Sequence, residues 1–231
     1  MVDIDKAIVL AAQVPFVKIN REEFLAANFS RYFEPDKVNE IIETSPIRAN
    51  VNKRILNKIA RECINYEKYK VSLISATTGI GGYAGIAADV PQYFAHVLRI
   101  CQKLAYVYGW PDIFDIDKDM DEETKNIILI FMGIMYGVVK AGDVLKEVAK
   151  VFAGKLAKDI SKQALTKTTW YPLLKEVAKS VGIKITKDSL SKTISKSIPV
   201  VSAVISGGLT YYSFDKGANK LYEILKEEPV L

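Results

Sequence analysis

Apolar residues recur every three to four positions along most of this 231-residue chain. This spacing constrains the fold more than any other feature, because it is the period of an α-helix with one buried face. One series runs from Val51 to Tyr66, and another steps by four from Val144 to Ala164. Alternation with period two, which indicates a strand, occurs only in residues 183–186. The sequence therefore predicts an all-α protein.

Several helix ends are marked by local signals. Asn20 with Glu23 has the form of a capping box, and Pro35 suits the first turn of a helix. Asp89 before Pro91 predicts another helix start, because an aspartate cap and a proline in the first turn favour one. That helix is expected to stop at residues 109–111, which are Gly-Trp-Pro.

Two later helices are predicted from their first residues. Asp121 can cap a helix that runs through Val139, and Pro199 suits the first turn of a helix that reaches about Lys226. The glycine pair at 207–208 lies inside this last helix.

Composition supports a globular chain. Hydrophobic residues make up 49% and charged residues 26%, the usual mixture in a folded protein. Because no repeat or low-complexity linker divides the chain, we expect a single compact domain over residues 1–231, with residues 1–65 as a helical extension packed on the rest. Two cysteines are too few for a disulfide scaffold, and no positively charged leader precedes the first apolar patch. We expect a cytoplasmic protein, with attachment to the inner face of the cell membrane as an open alternative.

Glycines cluster in the predicted central helices. Residues 79–84 match the dinucleotide-binding pattern G-x-G-x-x-A, but that motif needs a preceding strand and an acid about 20 residues later, and residues 90–111 contain no acid. Close packing is favoured, since small residues four positions apart, such as Gly133 and Gly137, let helix backbones approach. No cofactor is predicted. The residues expected to define the fold are Gly79, Gly81, Gly82, Gly85, Asp89, Pro91, Pro199, Gly207 and Gly208.

An acidic segment is the main candidate for contacting a partner. Its carboxylate spacing imitates a calcium-binding loop, but the sixth position is Met120 instead of glycine and the twelfth is Asn126 instead of glutamate. No metal is therefore predicted, and the segment is either a solvated loop that leads into a helix or a contact surface for a basic partner. A basic protein such as a nuclease toxin would suit this surface, because complementary charge speeds encounter and fixes orientation. The predicted contact residues are Asp112, Asp115, Asp117, Asp119, Asp121, Glu122 and Glu123.

Lysines are concentrated in a later segment. Residues 140–196 hold 13 lysines, five acids and no arginine. Lysine suits solvated faces and diffuse anionic surfaces, whereas bidentate recognition of phosphates or bases favours arginine, so nucleic acid is disfavoured as a partner. The candidate contacts for an anionic surface lie opposite the apolar series of their helix, and they are Lys146, Lys150, Lys158 and Lys162.

Three uncharged stretches approach membrane length, at residues 71–88, 127–139 and 198–213. A single spanning helix needs about 20 predominantly apolar residues, and each stretch is shorter than that or is interrupted by glycine or proline. Buried core helices are the favoured interpretation, and reversible insertion or docking on a membrane surface is the alternative.

His96 is the only histidine. On its predicted helix it lies beside Gln92, Arg99 and Lys103, and that side offers no carboxylate to orient the ring or raise its basicity. Cys101 lies about 140° around the helix, so the two cannot form a local nucleophile–base pair. We interpret His96 as structural and predict no catalytic residue. A remote partner for His96, and an enzyme built on it or on a carboxylate pair, stay as alternatives.

Two glycine-rich elements resemble a known family. Residues 78–91 read Thr-Gly-Ile-Gly-Gly-Tyr-Ala-Gly-Ile-Ala-Ala-Asp-Val-Pro, and residues 196–208 read Lys-Ser-Ile-Pro-Val-Val-Ser-Ala-Val-Ile-Ser-Gly-Gly. Both are similar to elements of the bacterial EcsC family, and the similarity covers residues 66–221. Ser202 and Ser206 stand where the family usually has glycine.

The resemblance implies a role without implying a reaction, since the family has no established catalytic residues. It is named after a companion of an ABC transporter operon, and related domains accompany bacterial secretion and toxin loci. The first hypothesis is a non-enzymatic protein-binding module, most concretely an immunity protein that binds and neutralises a toxin. The alternative is a peripheral membrane accessory or regulator of an ABC transporter or secretion system, based on the lysine face and the uncharged stretches.

Overall fold

The computed structural model describes residues 4–78, 82–112, 122–152, 175–177, 179–180 and 199–230. Every regular element in this part of the chain is helical, so the predicted all-α class is confirmed. The main helices are α1 (Ile4–Ala12), α2 (Arg21–Phe29), α3 (Pro35–Glu43), α4 (Lys53–Thr78), α5 (Gly82–Val107), α6 (Glu122–Met135), α7 (Val139–Phe152) and α8 (Pro199–Glu227).

The capping signals place several helix ends correctly. Asn20 caps α2 by accepting a hydrogen bond from the Glu23 amide at 3.0 Å. Helices α3 and α8 begin at Pro35 and Pro199, as predicted. At the end of α5, Gly109 has φ +89°, and the Trp110 amide donates to the Ala105 carbonyl at 3.0 Å. This bond closes a Schellman motif, which requires a left-handed backbone conformation that glycine adopts without strain.

The predicted helix start at Asp89 is wrong. Helix α5 begins at Gly82, so Asp89 and Pro91 both lie within it. The residues before Asp89 include three alanines, which favour helix more than any other residue. Pro91 removes one backbone donor from the helix, and the turns on either side of it remain helical.

The predicted extension of α6 through Val139 is also wrong. Helix α6 ends at Met135, and Gly137 has φ +69°. The Gly137 amide donates to Ile134 and the Val138 amide to the Gly133 carbonyl, at 2.9 and 2.8 Å, which is a second Schellman motif. Gly137 therefore ends a helix instead of continuing a row of small residues.

Close packing at Gly133 agrees with the small-residue prediction. A Cβ atom added there would lie 2.7 Å from the Cβ of Ala141 and 2.7 Å from a Val177 methyl group. Since real Cβ atoms keep a greater distance, only glycine lets α6 approach α7 and residues 175–177 so closely. Helix α6 also packs against α8.

Helix α4 is antiparallel to α8. The Arg61 guanidinium lies 5.2 Å from the centre of the Tyr222 ring, and Lys68 Nζ lies 2.9 Å from Asp215 Oδ1. A step of seven residues forward along α4 matches a step of seven residues backward along α8, so the two helices run in opposite directions.

Helix α5 is antiparallel to α4 as well. The Tyr108 hydroxyl donates to Asn57 Oδ1 at 2.9 Å, while Glu67, further along α4, contacts the earlier residue His96. The end of α4 and the beginnings of α5 and α8 therefore lie at the same end of the molecule.

The N-terminal segment is fastened to these helices by buried polar side chains. Gln102 on α5 donates to the Val17 carbonyl and accepts from the Ile19 amide, both at 2.9 Å. Arg21 donates to the carbonyls of Ile42 at 2.8 Å and Trp110 at 3.3 Å. These bonds fix α2, α3 and the end of α5 relative to one another.

Candidate functional site

Three helix segments that carry no charged residue converge at one end of the described part of the chain. We call it the uncharged end, and it consists of residues 71–78 of α4, 82–88 of α5 and 199–211 of α8. The backbone arrangement given above brings the segments together. Asp89 is the first charged residue after them on α5, and Lys70 is the last before them on α4.

Exposed tyrosines mark the boundary between this end and the rest of the molecule. Tyr66, Tyr69 and Tyr212, which we call the tyrosine belt, are 51%, 68% and 64% exposed. Leu73, one turn beyond Tyr69 toward the uncharged end, is 54% exposed. A tyrosine combines an apolar ring with a polar tip, so it suits a boundary between apolar and aqueous surroundings.

The exposure of Tyr66 corrects its predicted place in the apolar series of α4. The buried face of the helix passes instead through Cys63, Ile64, Glu67 and Val71. With about 3.6 residues per turn, this face leaves Tyr66 on the solvent side. The helix buries a glutamate where an apolar residue was expected.

Glu67 is the centre of a buried cluster of charged and polar side chains. Its carboxylate is fully buried and lies 2.6 Å from His96 Nδ1, 3.1 Å from Arg99 Nε and 2.5 Å from Lys103 Nζ. Burial by itself would raise the pKa of Glu67, but the hydrogen bond from His96 and the charges of Lys103 and Arg99 outweigh it and lower that pKa to about 2. The ionised carboxylate only accepts hydrogen bonds, so His96 donates to it from Nδ1.

Arg99 connects this cluster to the segment between α1 and α2. Besides Glu67, it donates to the Phe16 carbonyl. Phe16 has φ +62°, a conformation that is strained for an aromatic residue, and its side chain is 86% exposed. The hydrogen bond from Arg99 helps to hold that backbone conformation, so Arg99 has a positioning role in the fold.

Cations also surround the tyrosine belt. Lys70 and Lys103 lie 4.6 and 4.9 Å from the centre of the Tyr66 ring, and Lys216 lies 6.0 Å from that of Tyr212. A hydrogen bond with Lys70 is the main reason that the pKa of Tyr66 is lowered. These contacts are within the range of cation–π attraction.

The predicted acidic contact surface falls largely outside the described residues, which leave out Asp115, Asp117, Asp119 and Asp121. Glu122 and Glu123 begin α6. Asp112 is exposed, and its carboxylate accepts a hydrogen bond from the Tyr106 hydroxyl at 2.7 Å. The structure therefore describes one oriented carboxylate of this surface.

The predicted lysine face is described only in part. Lys146 and Lys150 are exposed on α7, whereas Lys158 and Lys162 lie outside the described residues. Lys146 pairs with Glu228 at 3.4 Å and Lys150 with Glu147 at 2.8 Å. The described part of this face thus carries both signs of charge.

Seven of the nine residues expected to define the fold lie on two helices. Gly82 is the first residue of α5, which also contains Gly85, Asp89 and Pro91. Helix α8 begins at Pro199 and contains the pair at 207–208. Gly79 and Gly81 lie outside the described residues.

Cysteine and metal chemistry receive no support in the described residues. Cys63 and Cys101 are buried free thiols, and burial raises the pKa of both, to about 11 for Cys63. The Cys101 thiol lies 3.6 Å from Met135 Sδ. In the part of the chain that the structure describes, no three metal-binding side chains come together.

Sequence analysis did not identify Glu67, which lies 29 positions before its partner His96. Local spacing cannot reveal a contact between two helices. A signal was nevertheless present, because Glu67 stands four residues after Cys63 and four before Val71, in a buried series. A charged residue in such a position needs an oppositely charged partner.

Comparisons with known proteins leave the resemblance to the EcsC family as a prediction. A scan against models of protein families found no match, and searches of curated proteins and of solved structures also found none. Among the described helices, none has both the length and the apolar character needed to cross a membrane.

Proposed function

We propose that the protein is a non-enzymatic peripheral membrane protein that docks on a lipid surface through its uncharged end. The supporting observation is the arrangement at the end of α4: residues 71–78 are uncharged, and the exposed Tyr69 and Tyr66 come next, with Lys70 and Lys68 interleaved between them. Proteins that lie in the interface of a bilayer place apolar groups in the acyl region, aromatic rings at the headgroups and cations outside them. This arrangement favours the accessory hypothesis over the immunity hypothesis.

The dimensions suit one leaflet. Thr78, at the end of α4, follows Tyr69 by nine positions, which corresponds to about 14 Å of helix. Half of the hydrocarbon core of a bilayer is about 15 Å thick. On length alone, the end of α4 could enter one leaflet while Tyr69 remains at the headgroups.

Asp89 limits how deeply the tip enters. An aspartate at the centre of a membrane-spanning helix costs about 2.5–3.5 kcal/mol, and the cost falls toward the interface. Because α5 is antiparallel to α4 and His96 contacts Glu67, Asp89 lies at the level of about residue 74 of α4, closer to the tip than Tyr69. We therefore expect shallow docking that is reversible.

Flotation with phospholipid vesicles tests the proposal. The wild type should float with vesicles that contain anionic lipid, and Leu73→Asp should bind at least about tenfold more weakly, because it removes an apolar side chain and adds a charge at the docking surface. Asn52→Asp is the matched control. It adds the same charge at the other end of α4, where Asn52 accepts a hydrogen bond from the Arg54 amide at 2.8 Å that aspartate can also accept.

Failure of the wild type to bind any vesicle would reject the proposed function. Equal binding by Leu73→Asp and Asn52→Asp would show that the uncharged end is not the docking surface. Circular dichroism of each variant checks that the helices are intact.

Protein binding through the acidic segment is the second candidate, supported by Asp112. Its carboxylate is exposed and oriented by Tyr106, as a contact for a basic partner such as a toxin domain would require. Affinity purification from the native cell, with the wild type and with Asp112→Lys, tests it. We expect one basic protein to be recovered with the wild type and lost with the variant. Recovery of the same proteins with both would count against Asp112 as a contact.

A further inference from the structure

A band of positive charge lies beside the tyrosine belt. We call it the cationic band. It consists of the half-buried Lys70 and the exposed Lys216, which lipid can reach, and of Arg99 and Lys103, which are largely buried against Glu67. Lys70, Arg99 and Lys103 surround Tyr66 and Glu67 on the α4–α5 side, while Lys216 lies beside Tyr212 on α8. Together they follow the belt across all three helices that form the uncharged end.

The carboxylates in this region do not neutralise the band. Over residues 66–70, 96–103 and 212–216 the sequence holds five bases and two acids. Glu67 is fully buried and paired with Arg99 and Lys103, and Asp215 is paired with Lys68. A net positive charge therefore remains at the level where lipid headgroups would lie.

Resting on the proposed membrane docking, we infer that the cationic band makes this docking selective for anionic phospholipids. Phosphatidylglycerol and phosphatidylserine carry a net negative charge at the headgroup, whereas phosphatidylcholine carries none. Cations at the headgroup level would attract phosphatidylglycerol and phosphatidylserine, but they would gain no such attraction to phosphatidylcholine. The uncharged end then provides attachment, and the cationic band provides selectivity for the lipid.

The experiment compares neutral vesicles of phosphatidylcholine with vesicles in which about a third of the lipid is phosphatidylglycerol. We expect the wild type to bind the anionic vesicles more tightly. The double variant Lys70→Gln with Lys216→Gln should lose about 25-fold in affinity for them, about fivefold per cation. Its affinity for neutral vesicles should stay unchanged.

The matched control is Lys53→Gln with Lys58→Gln, at the opposite end of α4. It changes the net charge equally, and Lys58 also lies against a tyrosine ring, 5.4 Å from the centre of Tyr32. This control should retain the preference for anionic vesicles. An equal loss in both double variants would overturn the inference, because it would indicate general attraction by the whole protein.

The two proposals can fail separately. Wild-type binding that is equally tight to neutral and anionic vesicles would overturn lipid selectivity and leave membrane docking intact. Absence of binding to both kinds of vesicle would reject docking and, with it, the role of the cationic band.

Discussion

Glu67 shows how a single buried charge can depend on three neighbours. His96, Arg99 and Lys103 all come from α5, at positions 96, 99 and 103, so they present one side of that helix to α4. The carboxylate thus joins the two helices at one level. Removing one partner from a buried ionic group is strongly destabilising, because the remaining charges stay buried without compensation.

Replacement of Glu67 by glutamine should therefore lower the free energy of unfolding by about 3–5 kcal/mol at neutral pH. The loss should depend on pH. Because the pKa of Glu67 is lowered to about 2 in the folded protein from an ordinary 4.5, its stabilisation is complete above about pH 4.5 and disappears as the pH falls toward 2. The difference between wild type and variant should thus shrink by about 3 kcal/mol over this interval. Urea denaturation at a series of pH values measures it.

Glu62→Gln is the control for this prediction. Glu62 is a half-exposed residue on the same helix that pairs with Arg31 at 2.9 Å, and such surface pairs contribute less than about 1 kcal/mol. A gap between wild type and Glu67→Gln that stays constant from pH 5 to pH 2 would contradict the lowered pKa.

At the scale of the helix, the sequence predicts ends well where the cause is local. Asn20, Pro35 and Gly109 act through their own backbone or side chain, and each marks the end that the structure has. Asp89 and Pro91 carry an equally strong local signal, yet α5 continues past both. Local residues indicate that a helix can begin at a place, but they do not prevent a favourable upstream segment from extending it.

Contacts between helices were the part that local sequence could not predict. The pairing of Glu67 with His96 depends on how α4 and α5 align, and so does the gathering of three uncharged segments at one end. Those segments were recognisable one at a time from their composition. Their convergence follows from two antiparallel pairings that no spacing within a helix specifies.

Alanine substitutions at two glycines test the packing of α6 and α7. Gly133→Ala should lower the free energy of unfolding by about 1–3 kcal/mol, because the new methyl group would lie 2.7 Å from both Ala141 and Val177. Gly142→Ala on α7 should be neutral or stabilising by up to about 1 kcal/mol, since its nearest neighbour, Ile224, is 3.5 Å away. Thermal denaturation compares the two, and equal stability in both variants would contradict the close approach at Gly133.

At the scale of the whole molecule, docking through the uncharged end requires α4 to stand upright on the membrane. If the helix lay flat, its basic first half would contact the lipid as well as its tyrosines. The exposed bases Lys53, Lys58 and Arg61 lie toward the beginning of α4, and the uncharged residues lie at its end. Fluorescent labels at two positions of α4 distinguish these orientations.

A label attached at Leu73→Cys should shift its emission to shorter wavelength on binding vesicles and be quenched by brominated lipid, whereas a label at Lys58→Cys should do neither. Each variant reacts at the introduced cysteine because Cys63 and Cys101 are buried and burial raises the pKa of both thiols. Wild-type protein is the labelling control and should remain unlabelled. Equal quenching at positions 73 and 58 would indicate that α4 lies flat.

The hydrogen bond between Tyr106 and Asp112 has a further consequence for this upright geometry. Tyr106 follows Tyr93 by 13 residues on α5, and the Tyr93 ring lies 6.4 Å from that of Phe214, near the tyrosine belt. Asp112 is thus held about 20 Å above the belt. Helix α5 would then act as a rigid spacer between two binding surfaces. Lipid would bind near the beginning of the helix and a protein near its end, so that both partners could be bound at the same time.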